Sequence, residues 1–177
     1  MVRVRPNALE LGFEPFVEDD LGVLASWLAS EPWPFHGLRQ EWTEADVEAA
    51  FAAGDFTGND RSFWVRAEGE RAGLLRFRYL DEASPDVDLR VLSRFRGRGI
   101  GTAMLEWAPE HLFTHTDRHR LGGETRIDNA PMRRIFERCA WSQEAHYRMS
   151  WPDGKDGWID SVGYAILRDE WEARASR

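Results

Sequence analysis

The segment Arg94-Phe95-Arg96-Gly97-Arg98-Gly99-Ile100-Gly101-Thr102-Ala103-Met104-Leu105 sets three arginines and three glycines in its first eight residues, at the head of an apolar helix pattern. Glycine at that density costs backbone entropy, so the chain needs the bare backbone it leaves. Behind the turn, Ile100, Ala103, Met104 and Trp107 fall on one side of a helix. The first N–H groups of such a helix have no intrahelical acceptor, and its dipole is positive at that end. The arrangement suits an anion, above all a phosphate. Two familiar phosphate loops do not fit it. A P-loop needs a Lys after its last glycine, and none follows here; a dinucleotide fingerprint needs G-x-G-x-x-G, and Gly97-x-Gly99-x-Gly101 is one residue short.

Working outward, Val87, Leu89 and Val91 alternate with Asp88 and Arg90, which predicts a strand running into the glycine turn. Before it, Arg61–Ala67, a turn at Glu68-Gly69-Glu70-Arg71, and Ala72–Tyr79 predict a hairpin. Residues 8–17 alternate loosely as a first strand. Asp19 or Asp20 stands where it would cap a helix carrying Leu21, Leu24, Ala25, Trp27 and Leu28, which Pro32-Trp33-Pro34 would stop. Thr43 with Asp46 resembles a capping box for a second helix through Val47, Ala50 and Phe51.

Beyond the glycine segment, Pro109 should kink its helix or end it early. Gly123–Ile127 reads as extended. Asp128 or Asn129 caps another helix, with Pro131 early in it and Met132, Ile135, Phe136 and Cys139 as its stripe. Alternation over Ala145–Trp151 and the run Trp158–Leu167 give two more strands, the last ending at Arg168-Asp169-Glu170-Trp171. With no repeat and no linker, residues 1–177 are expected to form one α+β (mixed α/β) domain.

The net charge of −8, from 31 acidic residues against 23 Lys plus Arg, argues against a general nucleic-acid binder and favours cationic partners such as amines. No apolar run approaches the roughly 20 residues of a membrane helix, and MVRVRPNALELGF lacks the apolar region of a signal peptide. Cys139 is the only cysteine, so no internal disulfide forms. The expected location is the cytoplasm, with no membrane partner.

Arg96-Gly97-Arg98-Gly99-Ile100-Gly101 resembles, at every fixed position, the Q/R-x-x-G-x-G/A motif of the GNAT superfamily of N-acetyltransferases. ETRIDNAPMRRIFERCAW, residues 124–141, is similar to that superfamily's strand-to-helix signature, and SVGYAILRDEW, residues 161–171, resembles the ending of the subgroup that acetylates ribosomal-protein N-termini (RimJ/RimL-like). The resemblance covers roughly residues 60–171. It implies a central, mostly antiparallel twisted sheet flanked by helices, with one splayed strand pair for acetyl-CoA.

It further implies that the cofactor's pyrophosphate lies on the backbone N–H groups of Arg98, Gly99, Gly101 and Thr102, within the motif opened by Arg96 and Gly97. Leu89 and Val91 would pair with the pantetheine arm, and Asn129 would face the cofactor. Glu124 matches the general base of the N-terminal acetyltransferases, E-x-R-x-x-N; Asp86 and Asp88 are the alternatives, otherwise solvated. Trp33, Phe35 and His36, in the loop where relatives build the acceptor pocket, would line it. The acceptor is expected to be a peptide or protein N-terminus, with a small cationic amine (aminoglycoside-like, polyamine, amino acid) or a noncatalytic acyl-CoA-binding role as the alternatives. Dimers are common in the superfamily.

One position departs from the pattern. Many relatives carry a Tyr in the helix after the Asn, as general acid for the departing thiolate, and Phe136 stands there. Tyr147 or Tyr164 could supply a hydroxyl, or the thiolate could leave unprotonated. His111, His115 and His119 are spaced i, i+4, i+8, but Pro109 and the surrounding Thr residues argue against an unbroken helix there, so no metal site is expected. Cys139, in an apolar stripe, reads as core rather than nucleophile.

Overall fold

The computed structural model describes residues 10–36, 40–153 and 157–175. The alternating segments become strands β1 (Leu11–Pro15), β2 (Arg61–Ala67), β3 (Glu70–Arg78), β4 (Asp86–Val91), β5 (Arg120–Arg126), β6 (Ser142–Pro152) and β7 (Trp158–Leu167). They form one sheet in the order β1-β2-β3-β4-β5-β7-β6. The positions 8 and 9 of the expected first strand lie outside the described residues. Each hydrogen-bonded neighbour is antiparallel except β4 and β5, which run parallel and share a single register pair, Asp86 with Gly122. Beyond that pair the two strands separate, and this is the expected splayed pair.

The helices are α1 (Leu21–Ala29), α2 (Glu44–Ala52), α3 (Ile100–His115), α4 (Ala130–Arg138) and α5 (Arg168–Ala175). Side-chain alternation assigns them to faces. Met104 of α3 packs over Gly73 of β3, and Phe136 of α4 over Gly123 of β5, so α3 and α4 cover one face. Trp27 of α1 meets Trp64 of β2 at 5.6 Å on the other. The Thr43 cap forms as expected: Asp46 N–H donates to Thr43 Oγ1 at 3.2 Å, and Thr43 N–H to Asp46 Oδ2 at 2.9 Å. Such a cap stabilises a short helix by about 1 kcal/mol.

Three local expectations are corrected. Asp20 does not cap α1; its carboxylate accepts from Arg71 at 2.6 Å and from Trp64 Nε1 at 3.1 Å, a tertiary role that outcompetes the local one. Pro109 does not end its helix. It lies buried with Ala108, Leu112 and Phe113 on the packed face of α3, and that burial outweighs the roughly 3 kcal/mol a mid-helix Pro costs. The chain after β7 continues as α5, because Arg168 donates to the Phe113, Thr116 and Arg118 carbonyls, satisfying the orphan end of α3.

Among the described residues no helix is long and apolar enough to cross a membrane.

Candidate active site

The glycine turn begins where β4 ends. Ser93–Phe95 make one 3-10 turn, after which Gly97 (φ 75°) and Gly99 (φ 85°) take the left-handed conformation that side chains disfavour. Gly99 is the N-cap of α3, and its carbonyl accepts the first helical bond, from Ala103 N at 3.0 Å. The amides of Ile100, Gly101 and Thr102 therefore stand ahead of the helical ladder. A Cβ at Gly97 or Gly99 would meet no atom within 4 Å, so the space about the turn is open. Gly101 is bare for another reason: a Cβ there would lie 3.1 Å from Ile135 Cδ1, so it lets α3 pack closely on α4.

Each arginine of the turn has a carboxylate partner. Arg94 pairs with Glu70 at 2.5 Å, Arg96 with Glu31 at 2.8 Å, and Arg98 with Glu68. Glu31 also accepts from Ser93 N at 2.9 Å and Ser93 Oγ at 2.8 Å, so a residue just after α1 anchors the start of the turn. Nothing in the sequence signals that contact across 62 positions.

The opening between β4 and β5 is closed at one end by Gly122 N–H, which donates to Pro85 O at 2.9 Å. Leu92 N–H bonds Ala72 O of the β3 side, so by alternation Leu89 and Val91 turn their backbone groups into the opening. Both carbonyls carry side-chain donors from neighbouring segments: His36 Nε2 at 2.8 Å on Leu89 O, and Arg96 Nε at 2.8 Å on Val91 O.

On the α3–α4 face the opening is floored by Phe136. Its Cζ would stand 2.9 Å from a Cβ at Gly123, so only glycine admits the ring. Phe136 stacks on Tyr164 at 4.5 Å and 4°, and the Tyr164 hydroxyl donates to Gln143 Oε1 at 3.3 Å, out toward β6. Asn129 caps α4 by accepting from Met132 N at 3.3 Å, while its amide donates to Thr125 Oγ1 at 2.9 Å. Thr102 O accepts from Cys139 Sγ at 3.7 Å, and burial pushes that thiol up to about 11, so it stays protonated.

The opposite face is built from side chains. Asp86, Asp88 and Arg90 of β4 share it with Glu124 and Arg126 of β5, by the strand period. Glu124 is exposed, stands opposite Gly163 and accepts from Ser161 Oγ. A Cβ at Gly163 would touch the Tyr147 ring at 3.4 Å, so Tyr147 lies across the bare strand beside Glu124.

Asp88 is only partly exposed. Burial opposes its charge, but Arg90, His36 and Arg76 hold its carboxyl well below the usual carboxylate range. Burial, with Arg120 pulling the other way, raises Asp86. Burial and the charge of Arg90 lower His36 to about 4, so its ring is neutral and Nε2 carries the proton donated to Leu89 O.

Arg126, almost fully enclosed, forks onto Asp128 at 2.7 and 3.0 Å and donates to Pro34 O at 3.2 Å, with its guanidinium over the Phe35 ring at 5.5 Å. The loop Pro34–His36 thus spans the opening, tied to β4 through His36 and to β5 through Arg126. Phe35 and His36 stand at its mouth. Trp33 is fully buried, stacked on Trp27 at 4.9 Å and donating to Leu28 O at 2.8 Å, so it supports the loop from the core instead of facing a ligand. Gly37, the next residue of this loop in the sequence, lies outside the described residues. His111 and His115 stack at 4.5 Å on the unbroken α3, remote from this face, and His119 lies past the helix end.

A glycine turn with free helix amides, a strand edge facing a splay, and a carboxylate on the far face lie together around one opening. The sequence matches the acetyltransferase (GNAT) domain family over residues 10–141, and the chain belongs to that family. It is an acyltransferase.

Among solved structures, the spermidine N-acetyltransferase of Vibrio cholerae, in complex with CoA and spermine, is similar at TM-score 0.77 and 15% identity, over 92% of this chain and 98% of that one. RimJ of Mycobacterium smegmatis, in complex with CoA-disulfide, is similar at TM-score 0.75 and 20% identity, over 95% of this chain and 90% of that one. Comparison with curated protein sequences gives no match.

Proposed function

We propose that the protein is an acetyl-CoA-dependent N-acetyltransferase that acetylates the N-terminal amine of a peptide or protein, with Glu124 as general base. The observation that carries this reading is the state of Glu124. Asp86 and Asp88 on the same face are answered by arginines, whereas among the described residues no cation lies within ion-pair distance of Glu124. Its one hydrogen bond among the described residues comes from the neutral Ser161 hydroxyl, so it is a single carboxylate without a cationic partner. One amine needs one; a polyamine carries several ammoniums and would want several.

The residues present fit the cofactor. The amides of Arg98, Gly99, Gly101 and Thr102 would hold its pyrophosphate in the open space at the turn. Leu89 and Val91 would pair with its pantetheine arm, as an added strand pairs with an edge. When bound, acetyl-CoA supplies the acetyl thioester that the amine attacks, and a thiolate with a pKa of about 8.5 leaves without an acid. That accommodates Phe136, which has no proton to give. Glu124 removes the ammonium proton directly or through one water. Phe35, His36 and Arg126 shape the entrance from which the acceptor approaches.

A second reading is acetylation of a small cationic amine, favoured by the net charge of −8 and by the likeness to a spermidine acetyltransferase. Thiol release from acetyl-CoA, measured across short peptides with free N-termini and across spermidine, spermine and amino acids, separates the two. Turnover confined to peptides is expected; turnover confined to polyamines overturns the peptide assignment.

A further inference from the structure

Resting on the reading of Glu124 as base, we propose that Ser161, backed by Ser150, is a positioning residue that fixes one oxygen of the Glu124 carboxylate and leaves the other for the incoming amine. Ser161 is completely buried in the middle strand of the β5-β7-β6 trio, where an apolar residue would be the ordinary occupant. A buried hydroxyl is costly unless bonded. Here it is bonded twice, to Glu124 Oε1 and, at 2.6 Å, to Ser150 Oγ.

The donors can be assigned by counting protons. A serine has one hydroxyl hydrogen and a carboxylate has none. The Ser161 hydrogen therefore goes to Glu124, and the single Ser150 hydrogen goes to Ser161 at 2.6 Å in preference to the Tyr147 carbonyl at 3.4 Å. In the chain Ser150 to Ser161 to Glu124 each hydroxyl hydrogen is directed toward the carboxylate, which fixes the position of Oε1. Oε2 has no partner among the described residues. During the reaction an N–H bond of the ammonium breaks and an O–H bond forms on Oε2, while Ser161 keeps its hydrogen throughout.

A second feature serves the same contact. The β6–β7 register is irregular between Tyr147 and Trp151: Tyr147 pairs with Ser161, yet Ser150 also reaches it. Met149, at φ 49°, holds this bulge by donating its N–H to Asp160 Oδ1 at 2.9 Å. A bulge that re-aims a side chain is a recurrent device beside active sites.

The test compares wild type, Ser161→Ala, Ser161→Thr and Glu124→Gln. Ser161→Ala should lower kcat/KM about tenfold, because the carboxylate loses the donor that fixes its Oε1. The KM for acetyl-CoA should stay as in wild type, and Ser161→Thr should restore kcat/KM. An infrared difference spectrum should place a carboxylate band absent from Glu124→Gln, shifted in Ser161→Ala and restored in Ser161→Thr.

If Ser161→Ala does not fold, the exposed Ser150→Ala carries the test, with a smaller loss of kcat/KM and a smaller displacement of the band. Wild-type kcat/KM and an unmoved band in the alanine variant overturn the proposal. Full turnover by Glu124→Gln instead overturns the base assignment, whatever the Ser161 variants do.

Discussion

The two faces of the β4–β5 opening are made of different material. On the α3–α4 face the chemistry belongs to the backbone: left-handed glycines, the leading amides of α3, and the strand edge at Leu89 and Val91. On the opposite face it belongs to side chains drawn from four segments: Glu124 and Arg126 of β5, Ser161 of β7, Tyr147 of β6, and the loop Pro34–His36. A backbone site asks little of the sequence beyond glycine, so it can be shared widely. A side-chain site changes with each substitution, so under the proposed function acceptor choice would reside there.

This contrast can be broken from either side, and the largest effect is expected on the acceptor side. Glu124→Gln should lower kcat by about 10²–10⁴-fold, the usual contribution of a general base, while acetyl-CoA binding stays intact; thiol-release kinetics beside calorimetric binding check both halves.

Next is the turn. Gly99→Glu puts a side chain on a residue at φ 85° and a negative charge beside the phosphate position. In wild type, acetyl-CoA at about 100 times its dissociation constant should add roughly 2.7 kcal/mol of stability, and the variant should lose that thermal shift.

The smallest effect is on pH dependence, which sharpens the role of the bridging loop. His36 is held near 4 in the folded chain against 6.5 in the unfolded one. The unfolded state then binds more protons between those values, so stability is full above pH 6.5 and falls as pH drops toward 4. Urea unfolding at pH 7 and pH 5 should show His36 contributing on the order of 2 kcal/mol of that fall. His36→Gln should remove this share and leave the part due to His111, which is lowered to about 4 by burial and by the charges of His115 and Arg61.

The same contrast explains what could be read from the sequence. The glycine turn was legible because a left-handed residue needs glycine and a helix start needs amides, both local demands. The strands around it were legible from their period of two, and the splay through family resemblance.

The side-chain face was legible only at Glu124 and at the loop after α1. Glu31, Arg90, Arg126 and Ser161 act through partners far along the chain, and an arginine buried by tertiary contact looks like any surface arginine. Ser161 did leave a trace: Ser161 and Gly163 are small residues at alternate positions of an otherwise bulky strand, the mark of a face kept clear. Pro109 and Trp33 misled for the opposite reason, since packing overrode the local rule in one case and absorbed an apparent binding residue in the other.

The most direct test of this two-sided account is calorimetric binding of acetyl-CoA to wild type, Glu124→Gln and Gly99→Glu, side by side. The account predicts that Glu124→Gln binds as wild type does and that Gly99→Glu binds at least tenfold more weakly. Equal binding by Gly99→Glu would contradict the backbone site, and loss of binding in Glu124→Gln would contradict the separation of the two faces.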